Sequence, residues 1–273
     1  MRYPLGFIGA GNMSGAIIKG LLNAGTAPGD LLICARTQAT LDTYQALGCA
    51  TTLDASEVMR TCDAVMLGVK PQMLKDVLQP LADEAQAHQP LLLSVVAAIP
   101  ATSIERWLGG NLAIIRTMPN TPSLVKQGAT GLYANERVTD AQKSLAETTF
   151  AGIGRYSWVD NEADLHAVTA TAGSAPAYFF QFAESMQKTA LELGLTDAQS
   201  RTLIGQTMLG AATMILETDT DIAQMRKNVC SPNGTTERAI QSFQTDDIDA
   251  VVRRAMLACL ERSEELSSEL GDA

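Results

Sequence analysis

The sequence is poor in aromatic residues, histidine and positive charge, and it contains no long apolar run. Of 273 residues, 5% are Phe, Trp or Tyr, and His88 and His166 are the two histidines. With so few imidazoles and no C-x-x-C pair, no metal site is expected. The five cysteines, Cys34, Cys49, Cys62, Cys230 and Cys259, are odd in number and scattered. That usage predicts reduced thiols in a cytoplasmic protein. Lys and Arg total 20 against 30 Asp and Glu, a net charge of −10, which argues against nucleic acid and anionic membrane as partners. No uninterrupted apolar stretch approaches the roughly 18 residues of a membrane-spanning helix. The chain runs directly into an apolar strand at Leu5, so no signal peptide is expected. Aliphatic residues and alanine dominate the 46% hydrophobic fraction, and the length suits one or two domains with a substantial core.

The stretch that organises the chain is Gly6-Phe7-Ile8-Gly9-Ala10-Gly11-Asn12-Met13-Ser14-Gly15. Leu5, Phe7 and Ile8 read as a buried strand, Gly9 and Gly11 as a tight turn, and Ile17, Ile18, Leu21 and Leu22 as a helix face. Strand, glycine turn and helix in this order form the context of a dinucleotide fingerprint. Glycine lets the backbone approach a pyrophosphate, and the helix start offers N–H groups and a positive dipole end. Ser14 stands at the third glycine and is small enough for close helix–strand contact.

Strands and helices then alternate. Leu31 to Ala35 is a second strand and ends at Arg36-Thr37, where an NAD site would place a carboxylate. Arg36 beside Thr37 suits a 2′-phosphate instead, so NADP(H) is expected ahead of NAD(H). Ala64 to Val69 is a third strand, followed by Lys70 and by Pro71 at a helix start. Leu91 to Ala97, Ala113 to Thr117, Ala129 to Ala134 and Tyr156 to Val159 complete a sheet of about seven or eight strands. Two prolines in Met118-Pro119-Asn120-Thr121-Pro122 predict a rigid loop rather than a helix start. A further helix is led by Thr139-Asp140.

After Val159 the strand pattern stops, and Asp160-Asn161-Glu162 marks a helix start and a domain boundary. The expected division is 1–160, a dinucleotide-binding domain, and 161–273, an all-helical one. Gly173-Ser174-Ala175-Pro176 interrupts the first helix, and another runs from about Ala198 to Leu216. Ile204, Met208, Ala211, Ala212 and Ile215 form one stripe, with Leu203, Leu209 and Leu216 outside it. Helices apolar on several faces need cover on several sides, which predicts a homodimer or larger homo-oligomer built on this half. In Ser231-Pro232-Asn233-Gly234-Thr235-Thr236, turn formers precede a helix on which Thr236, Ile240 and Phe243 share a face. That face is expected to turn inward, and the helix start could hold a carboxylate or simply be well capped.

These motifs together resemble the pyrroline-5-carboxylate reductase family. The match covers Gly6 to Gly15, Gly68-Val69-Lys70-Pro71, Ser94 to Ile99, Met118 to Pro122, Gly173 to Tyr178 and Ser231 to Thr236. The chain departs from the family at Asn233, for a glycine, and at Ala172 and Ala175, for the usual Ser and Gly. The resemblance implies an α/β Rossmann-like N-terminal domain and an all-α C-terminal domain through which subunits interlock. It implies NADPH-dependent reduction of 1-pyrroline-5-carboxylate to L-proline, the last step of proline biosynthesis, with hydride delivered to C5. The pyrophosphate would lie at Gly9, Gly11, Asn12 and Met13 and the 2′-phosphate near Arg36. The nicotinamide would lie near Val69, Lys70, Pro71, Ala97 and Ala98, with Asn120 also at the cofactor. Thr236 would orient the imine nitrogen. Ser231, Asn233, Gly234 and Thr235 would bind substrate, with Asp219 matching an acidic residue near the family's site.

The rival readings are a reductase of a related cyclic imine and an NADPH-binding regulator without turnover. A β-hydroxyacid dehydrogenase would need a lysine soon after Gly173-Ser174-Ala175, and the next lysine is Lys188.

Overall fold

The computed structural model describes residues 2–271. The chain opens with β1 (Tyr3–Ile8), α1 (Asn12–Asn23), β2 (Leu31–Cys34), α2 (Gln38–Gln45), β3 (Ala50–Thr52), α3 (Ala55–Thr61) and β4 (Cys62–Leu67). It continues through α4 (Pro71–Leu78), α5 (Ala82–His88), β5 (Leu91–Ser94), α6 (Ala101–Trp107), β6 (Ile114–Met118), β7 (Gly128–Ala134), α7 (Asp140–Ala151) and β8 (Gly154–Trp158). The eight strands form one sheet in the order β3-β2-β1-β4-β5-β6-β7-β8. All neighbours are parallel except β6 and β7.

This is a Rossmann-like sheet, and its side chains explain it. Along β1, Phe7 joins the core on one face and Ile8 the core on the other. Leu32 and Ile33 divide in the same way. A strand covered on both faces must be apolar at every position. The strand order reverses between β1 and β4, the place where open sheets of this kind hold ligands beyond the carboxyl ends of their strands.

The structure alters three local expectations. The strand at Leu91 stops at Ser94 rather than Ala97. The chain turns there: the Val96 N–H donates to Ser94 Oγ at 3.3 Å and Ala98 adopts φ +66°. The segment after Asn120 is a short 3-10 helix, Thr121–Val125, rather than a non-helical loop. Proline is compatible with a first helical turn, where its missing N–H has no partner to lose. The small edge strand β3 and the helices around it were not anticipated.

The remaining helices are α8 (Asp164–Val168), α9 (Ala175–Glu192), α10 (Asp197–Glu217), α11 (Ile222–Asn228), α12 (Thr235–Thr245) and α13 (Ile248–Gly271). A π-turn at Thr169–Gly173 lies between α8 and α9. None of the described helices is long and apolar enough to cross a membrane.

The chain forms two compact units, 1–176 with 259–273 and 177–258. The sheet-containing unit thus extends past the expected break at Asp160. Glu162 pairs with Arg116 at 2.8 Å, Leu165 is buried, and the Gly271 carbonyl accepts from Ser103 Oγ and Arg106 Nη2. In the helical unit, Ser200 and Ile204 are the buried residues, while Phe179, Phe180, Leu203, Leu209 and Met214 lie open. Thr236 is exposed and Phe243 is 42% exposed, so the face expected to turn inward is uncovered within one chain.

Candidate active site

The carboxyl ends of β1, β2 and β4 enclose a cleft of about 460 Å³. Its wall includes Gly9, Ala10, Gly11, Arg36, Thr37, Gly68, Val69 and Lys70. The loops are tied to the sheet: the Gly9 N–H donates to the Cys34 carbonyl at 3.0 Å, and the Gly68 N–H to the Ile8 carbonyl at 2.9 Å.

The glycines have separate reasons. Gly9 has φ +100°, and a Cβ there would lie 2.7 Å from the Gly68 oxygen. Gly11 N-caps α1 with no side-chain hydrogen bond, and the first turn carries no acidic residue. A Cβ on Gly11 would meet nothing closer than the Gly68 oxygen at 4.0 Å. The turn therefore presents backbone to open space at a helix start, the arrangement that receives a phosphate. On the β4 side, Gly68 leaves room for Ser14, whose Oγ occupies the place of a Gly68 side chain.

At the β2 side of the cleft, Arg36 Nη1 lies 4.0 Å from Met73 Sδ, and among the described residues it has no carboxylate partner. Thr37 Oγ1 is 3.0 Å from Thr40 Oγ1. Cys34 lies beneath them. Burial, reinforced by Asp54 and Glu57, pushes its thiol up to about 11, so it stays neutral beside any bound phosphate. These features fit a dinucleotide: a glycine cradle, an uncapped helix start and a cation on the β2 side.

Gly9, Gly11, Arg36, Val69 and Lys70 line this cleft. Asn12 and Met13 open α1 just beyond it, and Pro71 opens α4. Ala97 and Ala98 lie elsewhere, on a second cavity of about 250 Å³ bordered also by Thr169, Ser174, Cys259, Arg262, Ser263 and Leu266. There Cys259 Sγ contacts Ser174 Oγ at 3.3 Å. Asn120 borders neither cavity. It is buried, its Nδ2 donates to the Ala172 carbonyl at 3.0 Å, and its Oδ1 accepts from the Ala129 N–H at 2.9 Å. Both ends of its amide thus clamp the π-turn to β7.

In the helical unit, Gly234 N-caps α12 with no side-chain hydrogen bond. A Cβ on Gly234 would lie 2.9 Å from the Ser231 carbonyl oxygen. Asn233 holds φ +61°, a conformation that Asn tolerates better than most residues. Its N–H donates to Glu237 Oε2 at 2.7 Å, and the Gly234 N–H donates to the Ser231 carbonyl at 2.9 Å. Thr235 and Thr236 begin the helix, both exposed, as is Asp219.

Sequence reasoning missed Thr40, Leu53, Ala55, Met73 and Val77 in the first cleft. One signal was present: Asp54 followed by Glu57 is a helix-start pattern, and Asp54 Oδ1 accepts from the Ser56 N–H at 2.9 Å.

Comparison with known proteins covers both halves. A family model described as pyrroline-5-carboxylate reductase dimerisation matches residues 162–266. One described as NADP oxidoreductase, coenzyme F420-dependent, matches residues 4–98. The chain is 41% identical over 270 residues to a pyrroline-5-carboxylate reductase of Pseudomonas aeruginosa, covering 98% of each. The structure of a pyrroline-5-carboxylate reductase from Coxiella burnetii superposes with TM-score 0.94 at 39% identity, covering 98% of this chain and 99% of that one. A Plasmodium falciparum pyrroline carboxylate reductase with NADP bound gives TM-score 0.84 at 27% identity, covering 97% of this chain and 98% of that one.

Proposed function

This chain belongs to the pyrroline-5-carboxylate reductase family, and from that membership we propose that it is the enzyme that reduces 1-pyrroline-5-carboxylate to L-proline, closing proline biosynthesis. The observation that carries this reading is chain-wide: the similarity, 41% identical overall, runs over 98% of the chain, a span long enough to take in both the glycine cleft and the Ser231–Thr236 turn. A reduced nicotinamide dinucleotide, when bound, supplies the hydride that adds to C5 of the cyclic imine.

The chain's own residues handle position and charge. The Gly9–Gly11 turn and the first N–H groups of α1 take the pyrophosphate, with Asn12 and Met13 in that first turn. Arg36 and Thr37 take a 2′-phosphate, which favours NADP(H) over NAD(H). Val69, Lys70 and Pro71, with the Ala97–Ala98 turn, border the nicotinamide. Asn120 acts one step away, by holding the π-turn.

Hydride addition needs an electron-poor C=N, so the substrate reacts as the protonated iminium. Thr236 orients that nitrogen through its hydroxyl, a neutral alcohol too weakly acidic to donate the proton outright. The proton therefore comes from water. Because Glu237 and Ser231 already engage the N–H groups of Asn233 and Gly234, the substrate carboxylate rests on the N–H groups of Thr235 and Thr236. Most of the rate comes from holding the reacting atoms together.

The helical unit provides substrate contacts and the dimer interface, and the sheet-containing unit the cofactor cleft. The open apolar residues of the helical unit support a homodimer, and this reading places the enzyme in the cytoplasm. The departures at Ala172 and Asn233 leave the chemistry intact in this reading, since Ala172 contributes its carbonyl and Asn233 its left-handed backbone. The test is steady-state oxidation of NADPH with pyrroline-5-carboxylate, with proline formed in equal amount. NADPH binding with no turnover would favour the regulatory reading.

A further inference from the structure

The Ala97–Ala98 turn adopts an unfavourable conformation, and the chain on each side of it is anchored. Ala98 has φ +66°, a region that residues with a Cβ occupy only when their surroundings impose it. At the near end, Thr117 Oγ1 donates to the Ser94 carbonyl at 3.1 Å, fixing the residue from which the turn departs. At the far end, Ala101 opens α6, and its buried N–H donates to Glu162 Oε1 at 2.6 Å. The same oxygen accepts from Arg116 Nη1 at 2.8 Å. Arg116 is nearly buried, with 8% side-chain exposure, and Glu162 retains 23%. One carboxylate oxygen thus joins β6 to the start of α6, and the turn between Ser94 and Ala101 has little freedom left.

We propose that Glu162, paired with Arg116, is a positioning residue that shapes the nicotinamide end of the cofactor site through the Ala97–Ala98 turn. The proposal rests on the reading that this turn borders the nicotinamide. Without the carboxylate, the Ala101 N–H loses its acceptor and Arg116 loses its counter-charge. Ala98 then relaxes toward negative φ, and Ala97 and Ala98 shift in the cavity wall they form. The glycine cleft at β1, β2 and β4 is built from other residues, so the adenine and pyrophosphate contacts stay in place.

The experiment uses the full chain and two probes, NADP⁺ and 2′-phospho-ADP-ribose, the same molecule without its nicotinamide. Binding of each is measured by titration calorimetry for the native protein, Glu162→Ala, Glu162→Gln and Ala97→Leu, alongside kcat. Glu162→Ala is expected to weaken NADP⁺ binding and lower kcat by about tenfold or more, leaving the affinity for the fragment unchanged. Glu162→Gln keeps an oxygen for the Ala101 N–H and recovers most of the loss. Where Glu162→Ala does not fold, Glu162→Asp, which retracts the oxygen by one methylene, takes its place with the same expectation.

Equal weakening of both probes, or of neither, overturns the proposal. Ala97→Leu separates the two failures. If it changes NADP⁺ binding relative to the fragment while Glu162→Ala does not, Glu162 has no positioning role and the nicotinamide assignment stands. If neither variant changes that ratio, the turn does not border the nicotinamide and both ideas fall.

Discussion

The Ser14 hydroxyl occupies the volume that a side chain on Gly68 would need. The third position of the glycine fingerprint is filled, and the strand opposite gives way. Ser14 is 1% exposed, and among the described residues its Oγ has no hydrogen-bond partner. Gly68→Ala should therefore lower unfolding stability by about 1–3 kcal/mol through overpacking. Ser14→Gly in the same chain should restore much of it. Denaturant unfolding of the two single variants and the double variant checks this, and additive losses would refute the pairing.

Arg36 sits in the wall of the cleft with no carboxylate partner among the described residues. Arg36→Ala should raise KM for NADPH about tenfold, the value of a charge-assisted phosphate contact, and leave KM for NADH nearly unchanged. Equal effects on both cofactors would remove Arg36 from the 2′-phosphate.

The legible parts of the fold were those fixed by local pattern. Leu5 to Ile8 and Leu91 to Leu93 are buried on both faces, so every position is apolar and the strands stand out. Gly9, Gly11, Arg36, Val69 and Lys70 could be placed because ligands gather at the carboxyl ends of such strands. Strand β3 has three half-buried residues at the sheet edge and carries no pattern to read. Met73 and Leu53 reach the cleft from a helix and a loop whose approach is set by tertiary contacts. Ser263 and Arg262 reach the second cavity from the last helix, far away in sequence. Thr236, Ile240 and Phe243 share one face of α12 by their spacing, yet spacing cannot say what covers that face, and within one chain it is open.

His166 makes stability depend on pH. Its Nδ1 lies 2.8 Å from Ser263 Oγ. Burial, then the positive charge of Arg116, holds its pKa below the ordinary imidazole value, with Glu264 and Glu162 partly opposing. The unfolded chain thus binds the proton more readily than the folded one. The contribution to stability is complete above the ordinary value and is lost as pH falls through the lowered one. Thermal midpoints should drop on acidification from neutral pH, and His166→Gln should flatten that part of the profile. An unchanged profile would contradict the assignment.

The open apolar face of the helical unit should mediate self-association. Leu209 is 55% exposed, so Leu209→Glu should leave the helix folded while shifting the protein toward monomer in sedimentation velocity. Turnover should fall with the dimer, and the dinucleotide should still bind the glycine cleft. A fully dimeric Leu209→Glu protein would move the interface elsewhere.

In the proposed reaction the hydride goes to C5 of the cyclic imine while Thr236 holds its nitrogen. The decisive measurement is the fate of deuterium from NADPH carrying two deuterium atoms at C4 of the nicotinamide, read by mass spectrometry and NMR of the product, for the native chain and Thr236→Val. The native chain should yield proline carrying one deuterium at C5. Thr236→Val should form it far more slowly with NADP⁺ affinity unchanged. Product without deuterium at C5, or a Thr236→Val protein as fast as the native one, would contradict the account.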